Sequence, residues 1–372
     1  MSDARDRTAD APSSTTTEPL RIAVIAGDGI GPEVIGVSIP VLERAIECAE
    51  GTRRVEWHSF PWGCDHYNET GQMMPDDGLA QLRPFDAIYF GAVGRPDVPD
   101  HISVRDLILP IRQHFDQYIN LRPMRLLPGV PSPLAGRVPA DLDMVCVREN
   151  SEGEYLGAGG RFDMGTPDER AEQTGIFTRR GIERTVRFAF ELASRRPDGH
   201  VASATKSNAL QHSMVLWDEV TAEVAEAFPG VPWRPYHVDA LAARMVTHPD
   251  TLDVIVGSNL FGDILTDLGA AITGSLGLAP GANLNPERDH PSMFEPIHGS
   301  APDIAGQGIA NPIGTLWAGA LMLEHLGLDE AARGLVRAIE GTLADPDAPR
   351  TPDLGGETDT MGLAEAVAER LG

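Results

Sequence analysis

Lysine is all but missing from this chain. Lys206 is the single lysine, and the other 29 of the 30 basic residues are arginine. Arginine can replace lysine as a solvated cation or ion-pair partner. It cannot serve where a proton must be lost, because guanidinium stays charged at any working pH. A lone lysine therefore marks either a drift in composition or a proton-transfer or Schiff-base group. Cysteine is scarce as well. Cys48, Cys64 and Cys146 are too few and too scattered for a disulfide framework or a thiolate metal site, which points to a reducing cytoplasm. No apolar run approaches the length of a bilayer span. Basic charge is outnumbered, and a net charge of −25 makes the surface a poor partner for nucleic acid or anionic membrane. A small anionic substrate must then be drawn in by a local cluster of arginines.

What is present suffices for one large or two ordinary domains in 372 residues. Residues 1–19 are polar, include several acids and read as a disordered tail, neither signal nor transit peptide. Leu20–Ala26 reads as a buried strand, followed by Gly27-Asp28-Gly29-Ile30-Gly31-Pro32-Glu33 and a helix with Pro32 in its first turn. The spacing is G-x-G-x-G, not the G-x-G-x-x-G of a Rossmann site. Further strands are expected at 87–94, from Asn120, at 144–149, 200–204, 234–239 and 252–257. Helices are expected at 106–118, 180–196, 208–228, 240–246, 261–271, 313–326, 328–344 and 361–371. The glycine-rich stretch 156–178 suggests a hairpin or arm, and 272–312 a loop region. Strands alternating with helices give an α/β protein.

Several segments carry chemistry. Asp263 and Asp267 lie four apart in Ser258-Asn259-Leu260-Phe261-Gly262-Asp263-Ile264-Leu265-Thr266-Asp267, hence on one helical face. Like charges at that spacing repel, so replacing either by asparagine is expected to leave the fold intact or firmer. A solvated acidic face is one reading, a cation site the other. Asp239, at the end of the strand through Val238, adds a third acid. Three carboxylates without histidine or cysteine favour Mg²⁺ or Mn²⁺ over zinc. Arg105 and Arg112, seven apart, are expected on a shared face, with Arg122 and Arg148 nearby in sequence motifs. Guanidinium pairs carboxylates bidentately, so arginines beside a metal suit a dicarboxylate. Tyr155 is either a packed tyrosine or a general acid. In His298-Gly299-Ser300-Ala301-Pro302-Asp303-Ile304, small residues permit close backbone approach, and Asp303 can accept from a ribose diol.

In this order, GDGIGPE, NLRP, VREN-x-EGEY, TKSN, SNLFGDILTDL and HGSAPDIAG resemble the metal-dependent β-decarboxylating dehydrogenases, from about residue 20 to the C-terminus. PDHIS (99–103), FDQYINLRP (115–123), FTRRG (177–181), ATKSN (204–208) and ANLNPER (282–288) carry a closer likeness to the tartrate/D-malate members. The resemblance implies an isopropylmalate dehydrogenase-like fold, not Rossmann, with two domains sharing a large mixed sheet. These are a large domain, 20–117 with 274–372, and a small one, 118–273, holding the dimer interface and arm. It implies that Arg112, Arg122 and Arg148 hold substrate carboxylates. Asp263 and Asp267 would ligate the metal with Asp239 of the other subunit. Lys206, also from the other subunit, would act as base, and Tyr155 as the acid that protonates the enol carbon. Ile108 and Leu109 would face Ala209 across the substrate. His298 to Ile304, Asn311, Asn208 and Glu295 would hold NAD, with a monovalent cation as a further ligand. The function implied is NAD- and metal-dependent oxidation of a small 2-hydroxy dicarboxylate by a homodimer with shared sites. The alternatives are a 3-substituted malate substrate (isopropylmalate-, isocitrate- or phosphonomethylmalate-like) and a non-catalytic regulatory subunit. The second would tolerate loss of ligands or base, and none is lost.

Overall fold

The computed structural model describes residues 18–51, 53–197 and 199–372, so the tail expected over 1–19 lies outside the described residues apart from Glu18 and Pro19. Twelve strands are formed among the described residues: β1 (Leu20–Gly27), β2 (Val55–Ser59), β3 (Ala87–Ala92), β4 (Ile119–Arg125), β5 (Asp143–Glu149), β6 (Gly153–Phe162), β7 (Arg170–Ile176), β8 (Val201–Thr205), β9 (Trp233–His237), β10 (Val254–Gly257), β11 (Pro280–Leu284) and β12 (Ser292–Pro296). Ten of them make one mixed sheet in the order β2-β1-β3-β12-β11-β4-β5-β10-β8-β9. β2, β1, β3 and β12 are parallel to one another, as are β5, β10, β8 and β9. β11 and β4 lie between these blocks and pair antiparallel with each neighbour. The α/β class holds, and the antiparallel centre separates this sheet from a Rossmann sheet.

Composition explains the layering. β3 and β10 are buried at every residue, as parallel strands covered on both faces should be. Pro235, which donates no ladder bond, is tolerated on the edge strand β9. The helix Arg179–Arg195 buries Ile182, Val186, Ala189, Phe190 and Ala193 at three- and four-residue spacing, with its charged residues outward. Its entry is fixed by Thr178, whose hydroxyl accepts from Gly181 N at 3.0 Å. The helix Ile313–His325 is buried around most of its circumference. β6 and β7 pair only with each other, so the glycine-rich stretch is a hairpin.

Four expectations need correction. The stretch read as loop over 272–312 contains β11 and β12, which sit at the centre of the sheet with all ten residues buried. Each is only five residues long, fenced by glycine or proline, and carries polar residues, so neither an apolar run nor an alternation announces it. The helix expected at 106–118 is Asp100–Ser103 and Leu109–His114 joined by a wider π turn, Val104–Ile108, in which Leu109 N bonds Val104 O. The wider turn falls just before Pro110, whose ring would crowd a carbonyl of the preceding α turn. It breaks the seven-residue register, so Arg105 is exposed while Arg112 is buried. Finally, the helix expected from 208 begins at Ser213, and Asp239 lies in the first turn of the helix Val238–Thr247, not on a strand.

Candidate active site

The centre of the sheet is polar on one face. Register places Arg148 of β5 opposite Asn120 of β4, and Asn120 opposite Asn283 of β11. Residues directly opposite share a face, so this row continues across three strands. Arg122, two residues beyond Asn120, is on the same face.

The helix Asn259–Ile272 then lies across these arginines. Arg148 is 2% exposed and donates from Nε and Nη2 to Asn259 Oδ1, at 3.0 and 2.6 Å, and from Nη1 to Asp263 Oδ1. Gly262 makes that approach possible, since a Cβ there would lie 2.5 Å from Arg148 Cγ. Arg122 donates to Thr266 Oγ1 at 2.8 Å and stands 3.8 Å from Asp263 and 3.7 Å from Asp267. The two aspartates that repel in isolation therefore flank a buried cation. Tyr155 donates its hydroxyl to Asp263 Oδ2 at 2.6 Å, with the Arg148 guanidinium 5.5 Å from its ring centre. Arg112 donates from Nη2 to Glu295 Oε1 at 2.7 Å and reaches Asn150 Oδ1 at 3.4 Å. The Nε atoms of Arg112 and Arg122 are buried without a protein acceptor.

The electrostatics follow from this packing. Burial pushes the Asp263 carboxyl up, but Arg148, the Tyr155 hydroxyl and Arg122 outweigh it and hold the group below the usual carboxylate range. Asp267 goes the other way. Burial and the Asp263 charge exceed the pull of Arg122, and its carboxyl is raised. Burial and the bond to Asp263 carry the Tyr155 phenol up to about 12, so it holds its proton at neutral pH. Burial and Arg122 pull the Arg148 guanidinium down.

Lys206 and Asp239 form a pair of their own. Lys206 Nζ donates to Asp239 Oδ1 at 2.8 Å, and this bond holds the Asp239 carboxyl low. Among the described residues no group of three acidic, histidine or cysteine side chains gathers in a single chain. Asp263 and Asp267 place two hard oxygen donors side by side, and a divalent ion held there would need further ligands from elsewhere. Lys206 to Ala209 form a turn, with Ala209 N and Leu210 N bonded to Lys206 O, so Asn208 and Ala209 are exposed. Ala209 lines a shallow groove of about 620 Å³ with Ile176, Phe177, Leu210 and Leu216. Ile108 packs against a buried apolar cluster that includes Leu107, Ile111 and Phe115, and Leu109 is half-buried.

The HGSAPDI loop is seated on the GDGIG turn. Ile30 N bonds Ser300 O at 2.9 Å, and Gly29, at φ +59°, would place a Cβ 2.0 Å from that oxygen. Ala301 adopts φ +40°, and Gly299, Pro302 and Asp303 are exposed, with Ile304 half-buried beside them. His298 has its Nε2 buried without a partner, and burial lowers its imidazole pKa. A buried orphan donor or acceptor in an open loop fits a bound ligand. Asn311 commits its side chain to Asp353 Oδ2, at 2.9 Å, and to Ile313 N, at 3.0 Å. Glu295, expected at the cofactor, is the counter-ion of Arg112.

Sequence reading missed Asn120, Asn150, Asn259, Thr266 and Asn283. Two were within reach, because Asn120 and Asn150 stand two positions from Arg122 and Arg148 and share their faces. Nothing local signalled Asn283.

The family described as isocitrate/isopropylmalate dehydrogenase matches residues 21–369. D-malate dehydrogenase (decarboxylating) of Escherichia coli strain K12 is 53% identical over 359 residues, spanning 94% of this chain and 98% of that one. Tartrate dehydrogenase/decarboxylase of Pseudomonas putida is 51% identical over 360 residues, spanning 95% and 98%. Among solved structures, isocitrate dehydrogenase from Methylococcus capsulatus is similar at a TM-score of 0.85 and 35% identity, covering 95% of this chain and 99% of that one.

Proposed function

Because this chain belongs to the isocitrate/isopropylmalate dehydrogenase family, we propose that it is a decarboxylating dehydrogenase oxidising D-malate or tartrate with NAD and Mg²⁺ or Mn²⁺. One observation carries the substrate class: three buried arginines, Arg112, Arg122 and Arg148, converge beside Asp263 and Asp267. A cluster of cations under 10% exposed is stable only with anions. In the free protein Asp263 and Glu295 supply them, and a substrate with two carboxylates supplies them in the complex.

Asp263 and Asp267 are the residues that would hold the metal, with Asp239 from a second copy. When bound, the ion would supply Lewis-acid activation of the substrate hydroxyl. Lys206 of that second copy would take the hydroxyl proton, and NAD, when bound, would supply the acceptor for the C2 hydride. The 2-oxo acid then loses carbon dioxide from C3, and Tyr155, protonated at neutral pH, returns a proton there. A shared site is supported by the lack, among the described residues, of a third acid gathered with Asp263 and Asp267 in one chain. It is also supported by the exposed apolar residues Leu156, Ile176, Leu210, Val215 and Ile264 on the hairpin, the turn, the helix Ser213–Ala225 that follows it and the aspartate helix. The same reading divides the chain into 20–117 with 274–372 and 118–273, whose seam is the β11–β4 pair. NAD is favoured by Asp303, an exposed carboxylate with no bond among the described residues.

A second reading, a 3-substituted malate, is favoured by Arg105. Its guanidinium lies beside Gly157 of the hairpin, with Nη2 2.8 Å from where a Cβ would stand, and it has no ion pair among the described residues. The test is Mn²⁺-dependent NADH formation on D-malate, L- and meso-tartrate, isopropylmalate, isocitrate and phosphonomethylmalate. Turnover of D-malate and tartrate is expected. Turnover of a triacid alone overturns the first reading in favour of the second.

A further inference from the structure

On the reading that Arg112 receives a substrate carboxylate, we propose that Asn283 is a positioning residue of the substrate site. Its side chain is fully buried at the centre of the sheet. Oδ1 accepts from Asn120 Nδ2 at 2.8 Å and from Asn150 Nδ2 at 3.0 Å. Nδ2 donates to Glu295 Oε1 at 2.8 Å and reaches Met293 O at 3.4 Å. Glu295 Oε1 in turn accepts from Arg112 Nη2 at 2.7 Å, and Asn150 Oδ1 faces Arg112 Nη1 at 3.4 Å. Arg112, Glu295, Asn283 and Asn150 therefore close a ring, with Asn120 joining it from β4. None of the five is more than 9% exposed.

Only one orientation of the amide satisfies this ring. Flipped, its carbonyl would face a carboxylate and its NH₂ would face two other NH₂ groups. Asn283 is thus the one group that reads Glu295 on one side and both other asparagines on the opposite side. Its partners stand beside the three arginines: Glu295 bonds Arg112, Asn120 is two residues from Arg122, and Asn150 is two residues from Arg148. The ring fixes the helix Leu109–His114 against β4 and β5, and so sets the spacing of the guanidinium groups. Arg112 Nε is left buried without a protein acceptor. Recognition of a diacid depends on that spacing to within about half an ångström.

The test compares variants on the best diacid and on the cofactor. Asn283→Asp still accepts from Asn120 and Asn150 but opposes Glu295, and the two anions draw Arg112 inward. At pH near 8 the KM for the diacid is expected to rise about tenfold over wild type, with the cofactor KM within about twofold and kcat within about threefold. Two carboxyls sharing a site hold a proton more readily. On lowering the pH towards about 6, the introduced group therefore regains a donor toward Glu295, and the variant-to-wild-type KM ratio falls. Asn283→Ser, neutral and too short to reach Glu295, should raise the diacid KM several-fold at every pH. If Asn283→Asp does not fold, the KM split of Asn283→Ser decides alone. Unchanged diacid KM, a parallel rise in both KM values, or no recovery of Asn283→Asp in acid overturns the proposal. Arg112→Gln separates it from the reading beneath. If that variant loses diacid binding while the Asn283 variants do not, the role of Asn283 alone falls. If Arg112→Gln also leaves the diacid KM unchanged, both fall.

Discussion

Removing charge from the two aspartates of the helix Asn259–Ile272 should have opposite effects on the metal-free protein, although they stand one turn apart. Asp263 is the direct counter-ion of Arg148, a guanidinium only 2% exposed, and also accepts from Tyr155. Stripping one partner from a buried pair costs about 3–5 kcal/mol. Asp263 is 34% exposed and Arg148 keeps its bonds to Asn259, so solvent screening brings the expected loss for Asp263→Asn to about 2 kcal/mol. For a chain of 372 residues that lowers Tm by about 2–3 °C. Asp267 is 67% exposed and its carboxyl is raised, so its charge is disfavoured by the fold. Asp267→Asn should leave Tm unchanged or slightly higher. The sign with pH follows. Because the folded Asp263 carboxyl is lowered, its stabilisation is present above the unfolded carboxylate pKa and is lost as pH falls through the lower folded value. The gap between wild type and Asp263→Asn should therefore persist from pH 7 to about 4 and close below it. Scanning calorimetry in the presence of chelator measures it. Equal Tm for wild type and Asp263→Asn at pH 7, or an equal loss in Asp267→Asn, refutes the assignment of Asp263 as counter-ion.

Two further outcomes are expected from the cofactor and the base. Lys206→Arg should keep the contact with Asp239 and fold normally, yet lose about 10²–10⁴ in kcat, since a guanidinium cannot accept the hydroxyl proton. Steady-state rates within about tenfold of wild type would contradict this. Asp303 should favour NAD over NADP by about a hundredfold in kcat/KM, because a 2′-phosphate meets a carboxylate where a 2′-hydroxyl finds an acceptor. Equal values for the two nucleotides would contradict it.

The candidate site was legible where chemistry is written into a contiguous segment. The pair Asp263 and Asp267 shows its shared face through helical spacing, and Arg122 and Arg148 occupy short motifs on strands. The lone lysine stands out by composition. What failed to show depends on pairing between distant segments. β11 and β12 have too few residues and too much polarity to register as core strands, yet they are core because both sheet blocks need them. Asn283 and Glu295 acquire their meaning only from Asn120, Asn150 and Arg112, more than 100 residues earlier in the chain. The shared face of Arg105 and Arg112 was lost to a π turn, which a count of residues assuming 3.6 per turn does not contain.

The position of β11 and β12 also orders events during synthesis. β3 and β4 follow one another in the chain but are not neighbours in the sheet, for the strands that separate them are made last. Until residue 296 has been built, each half-sheet ends in an open row of amides and carbonyls, on β3 and on β4. At about 5–20 residues per second, β4 waits on the order of 10–30 s for its neighbour. Such edges are templates for pairing with another chain. A nascent chain of this kind therefore needs its two halves kept apart, or shielded by a chaperone, until one late hairpin-like segment joins them. A truncation before residue 280 should leave two aggregation-prone pieces instead of a smaller enzyme.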